Sequence, residues 1–294
     1  MKFYYDLNIS ESSKPSDILR YLRLGYTRLA FNRIIDVKEG CLLDEDKKQS
    51  KEEKTKLKSK LERRIAIPDF SFLINEEVKE TALKLNTEVK LFSRLTLIAS
   101  DHMQLSSFMR EYGQLIKKYD VLACDARCSE VLNHMMEKVS FELLTFDLNS
   151  PVTILSHKIF KQCRDRNVAV EINLSAALTS NAGRMNSVKF IHDLGLYRCP
   201  SIITVTSGAR SNLLIRNHLS LRCILSTMGL NDKILKEINN NADKAINKGL
   251  ARKHTIYGSA AIIQLNKIPG VVSVQVTNKP DDLTNSPKKK KLKL

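Results

Sequence analysis

The chain has 294 residues, 43% of them hydrophobic, and carries 48 Lys+Arg against 32 Asp+Glu, a formal net charge of +16. That apolar content suffices for one substantial core, in one large domain or two small ones, and the charge favours a polyanionic partner, because neutralising phosphates releases counterions. No apolar stretch approaches the ~20 residues of a bilayer span, and MKFYYDLNIS lacks the order of a signal peptide, so a soluble intracellular protein with no membrane partner is expected.

Strand-like and helix-like segments alternate along the chain. A strand over 3–9 (FYYDLNI) leads to a helix near 16–24, with Ser16 as N-cap and Gly25 as stop, then to a strand over 27–32 (TRLAFN). The run DEDKKQSKEEKTKLKSKLERR holds nine basic and six acidic residues with two leucines. It reads as a solvated insertion at about 40–64 that buries no core face. Strand 89–99 (VKLFSRLTLIA), helix 103–117, strand 120–124, helix 128–138, strand 141–146, helix 156–165, strand 167–173, helix 184–194 and strand 201–206 follow. Two helices come next, 211–228 and 232–248, the second capped by Asn231 and stopped by Gly249. Such repetition implies a parallel sheet. About seven units point to a closed TIM-like (β/α) barrel, an α/β fold, more than to a doubly wound sheet. The barrel is expected to fill one domain over 1–276. The remaining 277–294 form a basic tail in which Lys288, Lys289, Lys290 and Lys291 follow a proline. Such a run reads as a nuclear-import signal or as a generic basic tail.

Side chains alternate faces along a strand, so a closed barrel gathers Asp6, Asn8, Asn32, Arg94, Glu171 and Asn173 into an inward polar cluster. A buried arginine must be paired, and Asp6 and Glu171 are the acceptors at hand. Arg94 then occupies the place of a metal cation in a related enzyme, or else it lies at the barrel mouth against solvent or RNA. The six cysteines (Cys41, Cys124, Cys128, Cys163, Cys199, Cys223) form no CxxC and no paired zinc-ligand set, so reduced thiols and no metal are expected. The six histidines stand apart, and no GxSxG, Walker A, GxGxxG or HExxH occurs, so neither a catalytic residue nor a cofactor is expected. Ser207-Gly208-Ala209 follows a strand and is either a phosphate-holding turn or a plain tight turn. Arg33, Lys38, Arg127 and Arg210 fall where strands give way to loops, and Arg184, Arg216, Arg252 and Lys253 lie on or beside helices. Together they are the candidate phosphate contacts of an RNA-binding surface. With no Trp and no RNP-type aromatic pattern, recognition of shape and backbone is expected over base stacking.

The stretches DLNI (6–9), LGYTRLAFNRIIDVKE (24–39), LFSRLTLIASD (91–101), YDVLA (119–123), DRNVAVEINLSAAL (165–178), SGA (207–209) and LIRNHLSLRCILSTMGL (214–230) carry a resemblance. In order and spacing over about 1–255 they resemble the barrel-fold, thirty-kilodalton-class protein subunit of ribonuclease P and ribonuclease MRP, shared by archaea and eukaryotes. The resemblance implies a TIM-like barrel related to the metal-dependent polymerase-and-histidinol-phosphatase (PHP) enzymes, without their metal ligands. It implies a non-catalytic subunit of a nuclear, nucleolar ribonucleoprotein that removes the 5′ leader of precursor tRNA and processes rRNA. The implied partners are the catalytic RNA, precursor tRNA, a small ferredoxin-like subunit and the other protein subunits. Asp6, Asn32, Asp36, Arg94, Asp101, Asp120 and Glu171 carry over as motif residues with architectural roles. Two alternatives stand beside this: a stand-alone metal-dependent phosphoesterase or nuclease of the PHP-like barrel class, and a scaffold that contacts only proteins. Chelator-sensitive cleavage by the purified protein marks the first, and binding insensitive to salt marks the second.

Overall fold

The computed structural model describes residues 4–39, 51–152, 156–196, 202–254 and 272–274. Seven strands lie side by side in chain order, all parallel: β1 (Tyr5–Ser10), β2 (Arg28–Asp36), β3 (Val89–Ala99), β4 (Val121–Ala126), β5 (Leu143–Leu144), β6 (Ala169–Asn173) and β7 (Ile203–Thr206). β7 returns to β1, where the Ser207 amide donates to Asp6 Oδ1 at 3.2 Å. The expected α/β barrel is therefore present and nearly closed. Parallel neighbours need crossovers, which are α1 (Pro15–Arg23), α2 (Lys51–Ile65), α3 (Glu76–Lys84), α4 (His102–Ile116), α5 (Ser129–Lys138), α6 (His157–Asp165), α7 (Leu174–Thr179) and α8 (Asn181–Leu196). α9 (His218–Thr227) and α10 (Asp232–His254) follow, and β8 (Val272–Val274) pairs antiparallel with the first residues of β3. No helix among the described residues is long and apolar enough to cross a membrane.

The period of two sorts each strand. In β3, Leu95, Leu97 and Ala99 pack against the outer helices, while Phe92 joins the interior with Leu7, Ala30, Val121, Ala123, Leu143 and Ala169. Ala242, Ala245, Ile246 and Leu250 of α10 complete that interior layer and floor the barrel.

Local details differ from the sequence expectation for physical reasons. α1 starts at Pro15, where a missing N–H costs nothing. Its first turn is closed by Asp17, whose Oδ2 accepts from the Lys14 amide at 2.8 Å, so Ser16 is not the cap. Gly25 ends α1 at φ +92°, as a left-handed stop requires. β2 runs on to Asp36, and β5 keeps only two of the six residues expected at 141–146. The expected 211–228 helix is broken: a 3-10 turn (Asn212–Leu214) and an extended Ile215 precede α9, which begins after Asn217 accepts from the Ser220 amide at 2.7 Å. The helix expected at 184–194 is present as the slightly longer α8, whereas the short α7 before it and α3 fill stretches for which no helix is expected.

Two corrections matter more. α2 is not merely solvated: Leu61 and Ile65, four residues apart on one helix face, are buried, and the Ile65 carbonyl accepts from Tyr119 Oη at 3.0 Å. Gly249 does not stop the last helix, which runs through it to His254. A Cβ there would sit 1.8 Å from the Asp120 carbonyl oxygen, so glycine lets the helix backbone lie directly on the barrel floor. Asn231 does cap this helix, accepting from the Ile234 amide at 3.1 Å. Cys41, Cys199 and the tail with Lys288, Lys289, Lys290 and Lys291 lie outside the described residues.

Candidate nucleic-acid interface and barrel interior

At mid-height the barrel is held by a buried polar chain. Arg94 and Glu171, both with side chains 0% exposed, form a two-pronged pair at 2.7 and 2.6 Å. Arg94 also donates to the Leu7 carbonyl at 2.8 Å and to Thr96 Oγ1 at 3.2 Å. Thr96 passes the chain to Asn32 Oδ1 at 2.7 Å, and Asn32 Nδ2 donates to Asn8 Oδ1 at 2.8 Å. Thr206 Oγ1 reaches Glu171 Oε1 at 2.5 Å. Burial alone would raise the Glu171 pKa, but the Arg94 charge and these hydrogen bonds outweigh it and hold the carboxyl below its ordinary value. Of the two positions open to Arg94, the interior one is occupied. Paired charges with every donor met are the condition under which burial is tolerated.

Asp6 departs from this cluster. The pairing of β1 with β2 shifts between Asp6 and Ile9, and this bulge breaks the alternation. Leu7 and Asn8 then both face inward, while Asp6, opposite Leu29, turns to the α1 side. There its Oδ1 accepts from the amides of Asn8 (3.1 Å) and Ser207 (3.2 Å), next to the Tyr21–Ser207 hydroxyl pair. Oδ2 has no partner among the described residues, and burial raises the pKa. Arg94 is therefore paired by Glu171 and not by Asp6. Asn173 stands at the end of β6, its Oδ1 taking the Ser175 amide at 3.0 Å. The other motif carboxylates do structural work: Asp36 takes the Lys38 amide, Asp101 caps α4 through Met103, and Asp120 binds the amide and hydroxyl of Ser93.

Above this layer, where the strands' C-terminal ends meet the loops, lies a cavity of about 560 Å³ lined by Asn8, Asn32, Arg94, Asp125, Arg127, Asn173 and Arg210 among others. Burial pushes the Asp125 carboxyl up to about 7, against the pull of Arg127 at 3.0 Å. Among the described residues no three His, Cys, Asp or Glu side chains converge into a group that could hold a metal ion.

The eight expected phosphate contacts divide sharply. Arg252 and Lys253 are not surface cations. Arg252, its side chain 10% exposed, holds both oxygens of the fully buried Glu142 (2.9 and 3.1 Å) and the carbonyls of Lys117 and Tyr119. Lys253 binds Asp120 Oδ1 at 2.6 Å. Their task is to fasten α10 to the floor. Arg33 is held by Glu11 at 2.5 Å and by the carbonyls of Arg64 and Ala66. Arg184 bonds Ala177 O and Asn181 Oδ1, and Arg216 bonds the carbonyls of Leu213 and Ile215. Arg127 is shared between Asp125 and Asp147. Arg210 and Lys38 are exposed. The charged insertion adds cations for which sequence reasoning gave no place: Lys60, Arg63 and Arg64 line a cleft of about 280 Å³ together with Arg33. The spacing of Leu61 and Ile65 was the available signal that this segment docks as a helix.

Comparison with known proteins agrees with this architecture. A family model described as RNase P subunit p30 matches residues 3–254. The chain is 28% identical over 168 residues to the ribonuclease P/MRP protein subunit RPP1 of Saccharomyces cerevisiae, covering 56% of each protein, so it spans about half the length of that curated relative. Among solved structures it resembles a chain of the cryo-EM structure of archaeal ribonuclease P with mature tRNA. The match has a TM-score of 0.58 and 18% identity over 89% of this chain and 99% of the other, a likeness of fold.

Proposed function

This chain belongs to the RNase P subunit p30 family, and from that premise we propose that it is a non-catalytic protein subunit of the ribonuclease P and MRP ribonucleoproteins. It supports RNA-catalysed removal of the 5′ leader from precursor tRNA, and rRNA processing, by screening phosphate repulsion so that the catalytic RNA folds and holds its substrate. The observation that carries the reading is the family match over 3–254, which spans every strand of the barrel. The interior is consistent with it: beneath the mouth the barrel is filled by the Arg94–Glu171 ion pair, whose charges cancel, and by the linked Asn32 and Asn8 amides.

Its partners are the catalytic RNA, precursor tRNA, a small ferredoxin-like subunit and the other protein subunits, and it works in the nucleus and nucleolus, with Lys288, Lys289, Lys290 and Lys291 as its nuclear-import signal. The RNA-facing cations are those left available at the mouth and along α2: Arg210, Lys38, Lys60 and Arg63. Affinity purification of the tagged full-length protein at graded salt, with sequencing of the co-purifying RNA, tests this. One abundant structured RNA, lost steeply as salt rises, is expected. Its absence at mild salt removes the proposal.

A further inference from the structure

Phosphate screening by exposed cations leaves the cavity at the barrel mouth without a role. Its volume, about 560 Å³, falls in the range of small-ligand sites, about 300–1,000 Å³, and it opens at the strand ends where barrel folds hold their ligands. The lining mixes apolar Ile98, Phe146 and Leu214 with polar Asn8, Asp125 and Asn173.

Counting hydrogen bonds shows what those polar groups have left to offer. Asn8 Oδ1 is taken by Asn32, and Asn173 Oδ1 is taken by the amide and hydroxyl of Ser175. Each carboxamide therefore keeps its NH₂ donors, which have no partner among the described residues. Asp125 Oδ2 faces Arg127 at 3.0 Å, which leaves Oδ1 as an acceptor. Asn173 is held in place: a Cβ on Gly208, which sits at φ +54°, would come within 2.1 Å of Asn173 Oδ1. The close approach of backbone to amide is built in and needs glycine.

Charge narrows the ligand class. Asp147, joined by Asp125 where that carboxyl is ionised above about pH 7, offsets Arg127 and Arg210 around the rim, so bare phosphate finds no concentrated positive charge. A ligand with an apolar face, a hydrogen-bonding edge and one phosphate matches all the groups at once. We infer that the barrel mouth receives a single unpaired nucleotide of RNA, its base edge against Asn8, Asn173 and Asp125 and its phosphate at Arg210. Guanine suits best, since N7 and O6 are adjacent acceptors for amide donors and its N1–H and N2–H serve a carboxylate. The inference rests on the ribonucleoprotein reading and adds a base-reading contact to it.

The test titrates the purified full-length protein with GMP, AMP, CMP, UMP and ribose 5-phosphate at low salt, by calorimetry, and repeats the series with Thr179→Trp. Thr179 lines the cavity and is itself exposed, so the indole can cover the mouth without entering the buried core. The expected result is saturable GMP binding, about tenfold tighter than the other bases, no binding of ribose 5-phosphate, and about tenfold or greater weakening in Thr179→Trp at an unchanged melting temperature. Flat titrations, or equal GMP binding by the two proteins, overturn the inference. If RNA co-purifies while GMP does not bind, this inference falls and the ribonucleoprotein reading stands. If GMP binds and Thr179→Trp abolishes it while no RNA co-purifies, it is the ribonucleoprotein reading that falls. If Thr179→Trp releases a protein subunit from the particle and the titrations are flat, the occupant is a partner's side chain and the inference is overturned.

Discussion

The floor and the mouth of this barrel are built from the same residue types and use them in opposite ways. At the floor, Arg252, Lys253 and Lys248 reach inward to Glu142, Asp120 and the carbonyls of Phe141, Arg166 and Asn167. Burial there pushes the Lys248 pKa down to about 8. At the mouth, Arg210 is exposed, Arg127 is shared between two carboxylates, and two carboxamides keep donors that have no partner among the described residues. Depth decides the difference. A cation over a closed apolar layer must be paired or it destabilises the fold, whereas one beside open water can wait for a ligand. A count of positive charges is therefore not a count of ligand contacts.

The deepest pair gives the largest expected effect. Arg94→Met leaves Glu171 buried without its cation, at a cost of about 3–5 kcal/mol, enough to unfold much of the population of a domain of ordinary stability. Urea denaturation is the measurement. Adding Glu171→Gln should recover part of the loss, a non-additivity that a double-mutant cycle reads directly. If Arg94→Met leaves the denaturation midpoint unmoved, the interior pair is not what holds the barrel.

Arg252→Ala comes next. It strands Glu142 in the same way, but at the rim of the floor, where water reaches the vacated space, so the loss falls at the lower end of that range, about 3 kcal/mol. RNA affinity at matched folded fraction should not change. Loss of RNA binding with full stability would return Arg252 to the surface set where its sequence position alone places it.

Why the sequence misplaces Arg252 while putting Arg94 on the inner face of its strand is a matter of range. Arg94 interrupts an apolar run of period two in β3. That local pattern assigns the face but leaves open whether the guanidinium is buried or lies at the mouth, which only the Glu171 pair decides. Glu171 is legible on the same ground, and so are the seven strand–helix units. Arg252 lies in a helix whose partner carboxylate is 110 residues away in sequence, and nothing local distinguishes it from a solvated cation. Gly249 misleads for the same reason: glycine near a helix end usually stops it, and only the Asp120 carbonyl beneath explains why here the helix continues. Asp6 fails by one bulge, since alternation assumes an unbroken ladder. In the charged insertion, composition hid Leu61 and Ile65, whose burial depends on their spacing and not on their number.

A smaller effect tests the mouth through pH. The Asp125 carboxyl, ordinarily near 3.8, is pushed up to about 7 by burial. Between those values the folded state keeps a proton that the unfolded chain has lost, so stability falls as pH rises from about 4 to about 7. Asp125→Asn removes this slope. The variant should match the wild type near pH 4.5 and exceed it at pH 8 by up to about 3 kcal/mol, less what solvent at the mouth screens, with thermal melts across that range as the readout. Parallel curves for the two proteins would show that Asp125 titrates as an ordinary surface carboxylate.

The smallest change in stability separates the two ends of the barrel most cleanly. Arg210 is exposed and, among the described residues, has no hydrogen-bond or ion-pair partner, so Arg210→Ala should alter stability by less than about 0.5 kcal/mol. If it contacts one phosphate, the slope of log affinity against log salt for the co-purifying RNA should become shallower by about one ion. Arg252→Ala should show the reverse: a large shift in midpoint and an unchanged slope. The pair of measurements crosses over only if depth, and not charge, assigns these arginines their roles. A reduced slope in both variants, or in neither, would mean that floor and mouth meet RNA alike.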